Sequence, residues 1–161
     1  MYTIRNVKES DHAILRDLAK KCPPLDVHTP YTYWVNAKYF GECSFIVESD
    51  GEPIGYIMAV DTPSVVFVWQ IGILAEHHRK GLSQKLIAAC VEYAVKVGKN
   101  MEVTISPDNV ASYAAFAHFC QKREMPIKLL EEICVTDIEE QEFREVENRY
   151  YIMVPLPRDF E

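Results

Sequence analysis

The chain opens with YTIRNV (2–7), in which apolar and polar side chains alternate, the two-residue period of a strand with one wet face. In SDHAILRDLAKKC (10–22) the period changes. Ile14, Leu15, Leu18 and Ala19 recur at three and four behind a serine or aspartate cap, which predicts a helix that Pro23 and Pro24 stop. The stretch PPLDVHTPYTYWVNAKYF (23–40) reads as a turn-rich loop entering a short aromatic helix. CSFIVES, the Asp50-Gly51 turn and EPIGYIMAV follow as a hairpin. SVVFVWQIGIL (64–74) is a nearly unbroken β-branched and aromatic run, as expected of a central strand buried on both faces. From Gly81 to Gly98, residues Leu82, Leu86, Ile87, Cys90, Val91, Ala94 and Val95 make one apolar helical stripe. MEVTIS predicts a strand, NVASYAAFAHFCQKR a helix and RYYIMVPL a last strand.

The predicted order, βαα-βββ-αβ-αβ, mixes hairpins with crossovers and implies an α+β, mixed α/β domain with helices on both faces. No repeat, low-complexity tract or Gly/Ser linker divides the 161 residues, so residues 1–161 are expected to form a single domain.

Charge narrows the partners. A net charge of −7 and a pI near 5.3 argue against nucleic acid, whose binders present a basic face, and favour a cationic or small zwitterionic partner. Eight of the acids fall in residues 131–147 beside one arginine; they read either as a solvated face or as a field that draws in an ammonium group. The five cysteines are scattered without a C-x-x-C pair or a zinc-like histidine spacing, so they are expected to be reduced and structural, with no metal site. No signal-like or membrane-spanning apolar run is present, and a cytoplasmic protein is expected, with no membrane partner.

HHRKGLSQKL (77–86) reverses the local sign of charge at a strand–loop–helix junction. A helix amino terminus gathers unpaired N–H groups and the positive end of the macrodipole, so the junction suits a phosphate; a basic turn on a solvated surface is the other reading. Neither G-x-G-x-x-G nor G-x-x-x-x-G-K-[ST] occurs, which disfavours dinucleotide and P-loop readings.

IGILAEHHRKGLSQKL resembles motif A of the GNAT superfamily of N-acetyltransferases, V-x-P-x-x-[QR]-x-x-G-x-[GA]. Gly81 matches the central glycine; His78 stands where Gln or Arg is usual, Arg79 where a glycine is common, and Ser83 at the final Gly or Ala. The resemblance implies a mostly antiparallel central sheet flanked by helices. It also implies acetyl-CoA as cosubstrate, held by Ile71, Gly72 and Ile73 on the strand, by His78, Arg79, Lys80, Gly81, Leu82 and Ser83 in the loop, and by Asn109. With histidine at position 78, cofactor binding is expected to vary with pH.

PLDVHTPYTY, VVFVWQIGIL and TISPDNVAS are similar, in order and spacing, to the diaminobutyrate acetyltransferases of ectoine synthesis. This implies that Asp26, Tyr31, Trp69, Asn109 and Glu147 hold the diamino acid. His28-Thr29 replaces the usual Asn-Ser, and WVNAKYF replaces a leucine- and cysteine-rich stretch. Relatives are commonly dimeric, so a homodimer is expected by analogy. Another small amine, such as an amino acid, a polyamine or an aminoglycoside, is the enzymatic alternative; a non-catalytic acyl-CoA-binding domain is the other.

Acetyl transfer to an amine requires a neutral nitrogen, an oxyanion partner and an exit for the thiolate. Asp26 and Glu147 are the candidate proton acceptors, although Asp26 also reads as an Asx turn and Glu147 as a solvated glutamate. Asn109 reads equally as a helix cap. A backbone N–H near Ile71–Ile73, freed by a bulge at Gly72, is the candidate oxyanion donor; close packing also explains this glycine. Strand alternation places Phe67, Trp69 and Ile71 on one face. Tyr31 is favoured over Tyr33 for the pocket, and His28 is a further pocket candidate. Phe116 occupies the position where many relatives carry a tyrosine that acts as acid, which leaves Tyr113, three residues earlier and one short of a helical turn, as the candidate acid if the helix is rotated or shifted. A thiol with pKa ~8.5 leaves as thiolate at pH 7 for only about 2 kcal/mol, so such an acid is dispensable.

Overall fold

The computed structural model describes residues 1–157; residues 158–161 of the expected domain lie outside that range. The strands are β1 (Tyr2–Asn6), β2 (Phe45–Ser49), β3 (Glu52–Asp61), β4 (Val65–Ile73), β5 (Asn100–Ile105), β6 (Ile127–Thr136) and β7 (Arg144–Ile152). The helices are α1 (His12–Lys20), α2 (Pro30–Tyr39), α3 (Leu82–Val97) and α4 (Val110–Lys122). All seven strands form one sheet in the order β1-β2-β3-β4-β5-β7-β6, antiparallel throughout except for the β4–β5 pair. β4, the apolar run of the sequence, is therefore the middle strand.

Two cores cover the two faces. On one, Leu15, Leu18 and Ala19 of α1 and Tyr33 and Ala37 of α2 pack on Ile46, Tyr56 and Met58. On the other, Leu82, Leu86, Ile87 and Cys90 of α3 and Phe116, Phe119 and Cys120 of α4 pack on Val47, Ile57, Ala59, Val66 and Val68. The apolar stripes of the helices and the continuous apolar run of β3, buried from Ile54 to Ala59, fit this sandwich of helices and sheet. Thr29 caps α2 by accepting the Thr32 N–H at 3.2 Å, with Pro30 at the first helical position. Gly81 and Gly98 bracket α3, both left-handed, at φ 71°.

The structure departs from the sequence reading in two elements. Residues 127–136 form a strand, β6, of which the sequence pattern gives no sign, and β7 starts at Arg144, earlier than RYYIMVPL suggests. The acidic run is thus a β-hairpin, and its charges hid the strand period because both faces of β6 are largely exposed at the edge of the sheet. The second difference lies in β4. Met58 pairs with Gln70 but Ala59 with Val68, so Trp69 is the extra residue of a bulge, whereas Gly72 pairs regularly with Tyr56. A side chain at Gly72 would come within 2.8 Å of Leu25 Cδ1 and 3.1 Å of Cys22 Cβ, so close packing is the reason for that glycine.

Candidate functional site

The parallel β4–β5 ladder ends at Val68 and Val103, although β4 continues to Ile73 and β5 to Ile105. Beyond this point the middle of the sheet is a fork. Hydrogen bonding in an antiparallel pair alternates from side to side. Because Leu74 donates to the Ile54 carbonyl of β3 at 2.9 Å, the N–H groups of Ile71 and Ile73 face the opposite side, which β5 has vacated. The strand itself therefore frees these donors, without the bulge expected at Gly72.

A cleft of about 410 Å³ follows this free edge, lined by Ile71, Gly72 and Ile73, by the loop into α3, and by the first turns of α4. His78, Arg79, Gly81, Leu82 and Ser83 line it as well, whereas Lys80 does not. Lys85 lies elsewhere, beside a second recess with Arg5 and Glu92. The loop needs two left-handed residues, Arg79 at φ 61° and Gly81 at φ 71°, and only the second is glycine. A Cβ on Gly81 would meet nothing within 4 Å, so backbone conformation rather than crowding selects this glycine. The His78 Nε2 lies 2.8 Å from the Ile73 carbonyl. Since a carbonyl only accepts, this nitrogen carries the hydrogen, and a neutral His78 has no donor left for a phosphate.

Asn109 caps α4, its Oδ1 accepting the Ser112 N–H at 3.2 Å, and also lines the cleft. Tyr113 does not line it; the ring packs 5.3 Å from Tyr150, and Phe116 is fully buried in the core. The geometry therefore does not bring the candidate acid to the cleft, because the face of α4 turned to it carries Ala111, Ser112 and Ala115.

On the α1–α2 face, at the mouth of the same fork, a second set of groups converges. The Trp69 bulge inverts the alternation of β4: Val66 and Val68 face the α3 core and so does Ile71, while Gln70 turns to the other face. Phe67, Trp69 and Ile71 thus do not share a face. Trp69 stands with its ring 5.1 Å from that of His28. Gln70, buried, accepts from Tyr56 Oη at 2.8 Å and Tyr33 Oη at 3.1 Å and donates to the Asp26 carbonyl at 2.7 Å. Tyr33 Oη also lies 3.4 Å from the His28 N–H. A buried network with every polar atom satisfied holds a loop in one place, here the loop that carries Asp26. Sequence reasoning missed Gln70, whose signal was a lone polar residue in an apolar central strand. Tyr33, not Tyr31, points inward; Tyr31 is 71% exposed at the start of α2 and stacks on Trp34.

Glu147 enters from β7, one residue beyond the last β5–β7 pair, Ile105–Asn148. Its Oε2 is buried without a hydrogen-bond partner. Burial, and then the negative charges of Glu145 and Asp26, hold its carboxyl above the ordinary carboxylate range. Asp26 and Glu147 are thereby brought near each other from distant parts of the chain. Arg149, two residues along the same face of β7, is already engaged by Glu102 at 2.7 Å and Glu131 at 3.0 Å. The nearest guanidinium on that strand thus leaves Glu147 without a cation.

A forked sheet that offers a free strand edge, a left-handed basic loop and a helix amino terminus along one cleft defines a protein that binds an extended anionic ligand beside a second, acidic pocket. Comparison with known proteins places it. Residues 12–120 match the acetyltransferase (GNAT) family, and the chain belongs to that family. The L-2,4-diaminobutyric acid acetyltransferase of Marinococcus halophilus is 33% identical over 131 residues, 79% of this chain and 74% of that protein. That of Chromohalobacter salexigens is 29% identical over 129 residues, 77% of this chain and 67% of that protein. Among solved structures, the diaminobutyrate acetyltransferase of Paenibacillus lautus, in complex with L-2,4-diaminobutyric acid and coenzyme A, superposes with a TM-score of 0.80 at 23% identity, covering 100% of this chain and 99% of that one. The ribosomal-protein-S18-alanine N-acetyltransferase of Escherichia coli gives 0.78 at 13% identity, covering 100% and 99%. Two enzymes with differently named acceptors match almost equally well, so the fold does not choose the amine. Among the described residues, no helix is long and apolar enough to cross a membrane.

Proposed function

We propose that residues 1–161 form one acetyl-CoA-dependent N-acetyltransferase domain that modifies the side-chain amine of a small diamino acid, L-2,4-diaminobutyrate. The observation that carries this reading is the Glu147 carboxyl, whose Oε2 is buried without a partner and which feels the charge of Asp26. Two acids at the mouth of a fork, with the neighbouring arginine engaged elsewhere, call for a cation from outside. The named acceptors of the relatives, at about 30% identity, make that cation a diamino acid.

The cleft fits the cosubstrate. Ile71 and Ile73 offer N–H groups to the amides of a pantetheine arm and, nearer its end, to the oxyanion; Arg79, Gly81, Leu82 and Ser83 surround a pyrophosphate at the amino terminus of α3. Bound acetyl-CoA supplies the thioester carbonyl and a thiol leaving group. Asp26 and Glu147 hold the ammonium, whose pKa of ~10 leaves roughly one molecule in a thousand neutral at pH 7. Glu147, held above the ordinary carboxylate range, takes the proton as the amine becomes nucleophilic. The nitrogen–carbon bond forms, the carbon–sulfur bond breaks, and the thiolate departs without help from Tyr113. The reading places the protein in the cytoplasm, where its free cysteines suit a reducing compartment. It makes the protein a homodimer by analogy with other enzymes of the fold.

Thermal shift followed by thiol release tests the proposal. Coenzyme A should stabilise the protein, 2,4-diaminobutyrate should add to that stability, and thiol should appear only with acetyl-CoA and the diamino acid together. Stabilisation by coenzyme A without thiol release would leave a binding domain. Release with an aminoglycoside or polyamine but not with diaminobutyrate would reassign the substrate.

A further inference from the structure

Three arginines are half-buried among the described residues: Arg5, Arg16 and Arg149. Arg5 pairs with Asp11 at 2.7 Å and Glu48 at 3.2 Å, and Arg149 with Glu102 and Glu131. Arg16, on α1, has no carboxylate partner among those residues. Its Nε donates to the His28 carbonyl at 2.9 Å, which fixes the side chain and leaves both terminal nitrogens without a protein acceptor. A half-buried guanidinium carries a desolvation penalty that one carbonyl offsets only in part. Its free fork has the geometry that carboxylates bind.

The loop from Asp26 to His28 links this cation to the acidic pocket. Arg16 holds the His28 carbonyl, Tyr33 Oη lies at the His28 N–H, and Gln70 joins Tyr33 to the Asp26 carbonyl. The Asp26 and His28 Cα atoms are separated by at most ~7.6 Å of chain. Burial raises the pKa of the Tyr33 hydroxyl, and the charges of Arg16 and Asp26 act on it in opposite senses. The 26–28 loop thus joins a guanidinium, through the His28 carbonyl, to Asp26, whose charge bears on Glu147. A diamino acid is polar in the complementary way.

We propose that Arg16 binds the α-carboxylate of the substrate and makes the enzyme select a diamino acid over a plain diamine. This rests on the diamino-acid reading above. The test compares kcat/KM for L-2,4-diaminobutyrate, its carboxamide and 1,3-diaminopropane, measured by thiol release in the wild-type protein, Arg16→Gln and Arg16→Lys. The wild type should prefer the acid to both analogues by about 10- to 100-fold, as for a hydrogen-bonded charge. Arg16→Gln should remove that preference by lowering the acid's value while leaving the analogues within about twofold. Arg16→Lys should retain part of it. Equal losses on all three substrates would mean that Arg16 only supports the His28 loop, and no loss would mean that it is idle; either overturns the proposal. If Arg16→Gln does not fold, the wild-type ratio of acid to carboxamide decides alone: a ratio near one overturns the proposal while acetyl transfer stands. Absence of transfer to any of the three overturns the diamino-acid reading and this inference together.

Discussion

A carboxyl that a fold keeps protonated more readily than water does works against the fold once it ionises. The folded chain binds the Glu147 proton more tightly than the unfolded chain, so its contribution to stability is present below the ordinary carboxylate pKa and is lost as pH rises through the higher folded value. Glu147→Gln, which cannot ionise, should raise the melting temperature at pH 7–8 and lose that advantage near pH 4. The same change should lower kcat by about 10²- to 10⁴-fold and abolish the acid limb of the pH–rate profile. Melting curves and initial rates across that range check both. The residue was legible in the sequence only through its resemblance to relatives, because within the acidic run nothing distinguishes Glu147 from its solvated neighbours. Arg79 is a similar case: its left-handed backbone explains why a glycine is common at that position, yet spacing alone gives no sign of it.

At the scale of elements, most helices and strands follow from period and punctuation, because Pro23, Thr29-Pro30, Asp50-Gly51, Gly81 and Gly98 stand where the chain changes direction. The Trp69 bulge is what the pattern concealed. An unbroken apolar run has no alternation in its sequence to lose, so an inserted residue leaves no mark in it, although the strand is fully buried only at Val66, Val68 and Gln70. That insertion turns Gln70 toward α1 and α2, where it ties the strand to the loop before α2. Gln70→Met keeps the volume but leaves two tyrosine hydroxyls and the Asp26 carbonyl without their partner. We expect a loss of about 2–4 kcal/mol by urea denaturation. KM for the amine should rise, because Asp26 is no longer held, while KM for acetyl-CoA should stay unchanged.

At the scale of the molecule, the cleft along β4 and the acidic groups of Asp26 and Glu147 lie at the place where β4 and β5 part, and on the proposed reading cofactor and amine meet there. That parting also means that the protein has an edge strand in its interior. Exposed edges elsewhere invite pairing with any extended chain; on the proposed reading this one takes a pantetheine arm, much as it would an eighth strand. Until it does, the amide hydrogens of Ile71 and Ile73 should exchange with deuterium in seconds, although they sit at the centre of the protein. With coenzyme A they should slow by orders of magnitude, while those of Val66 and Val68 hardly change. On that reading the ligand is a folding partner as well as a reagent, and a cell short of acetyl-CoA would leave the fork between β4 and β5 open.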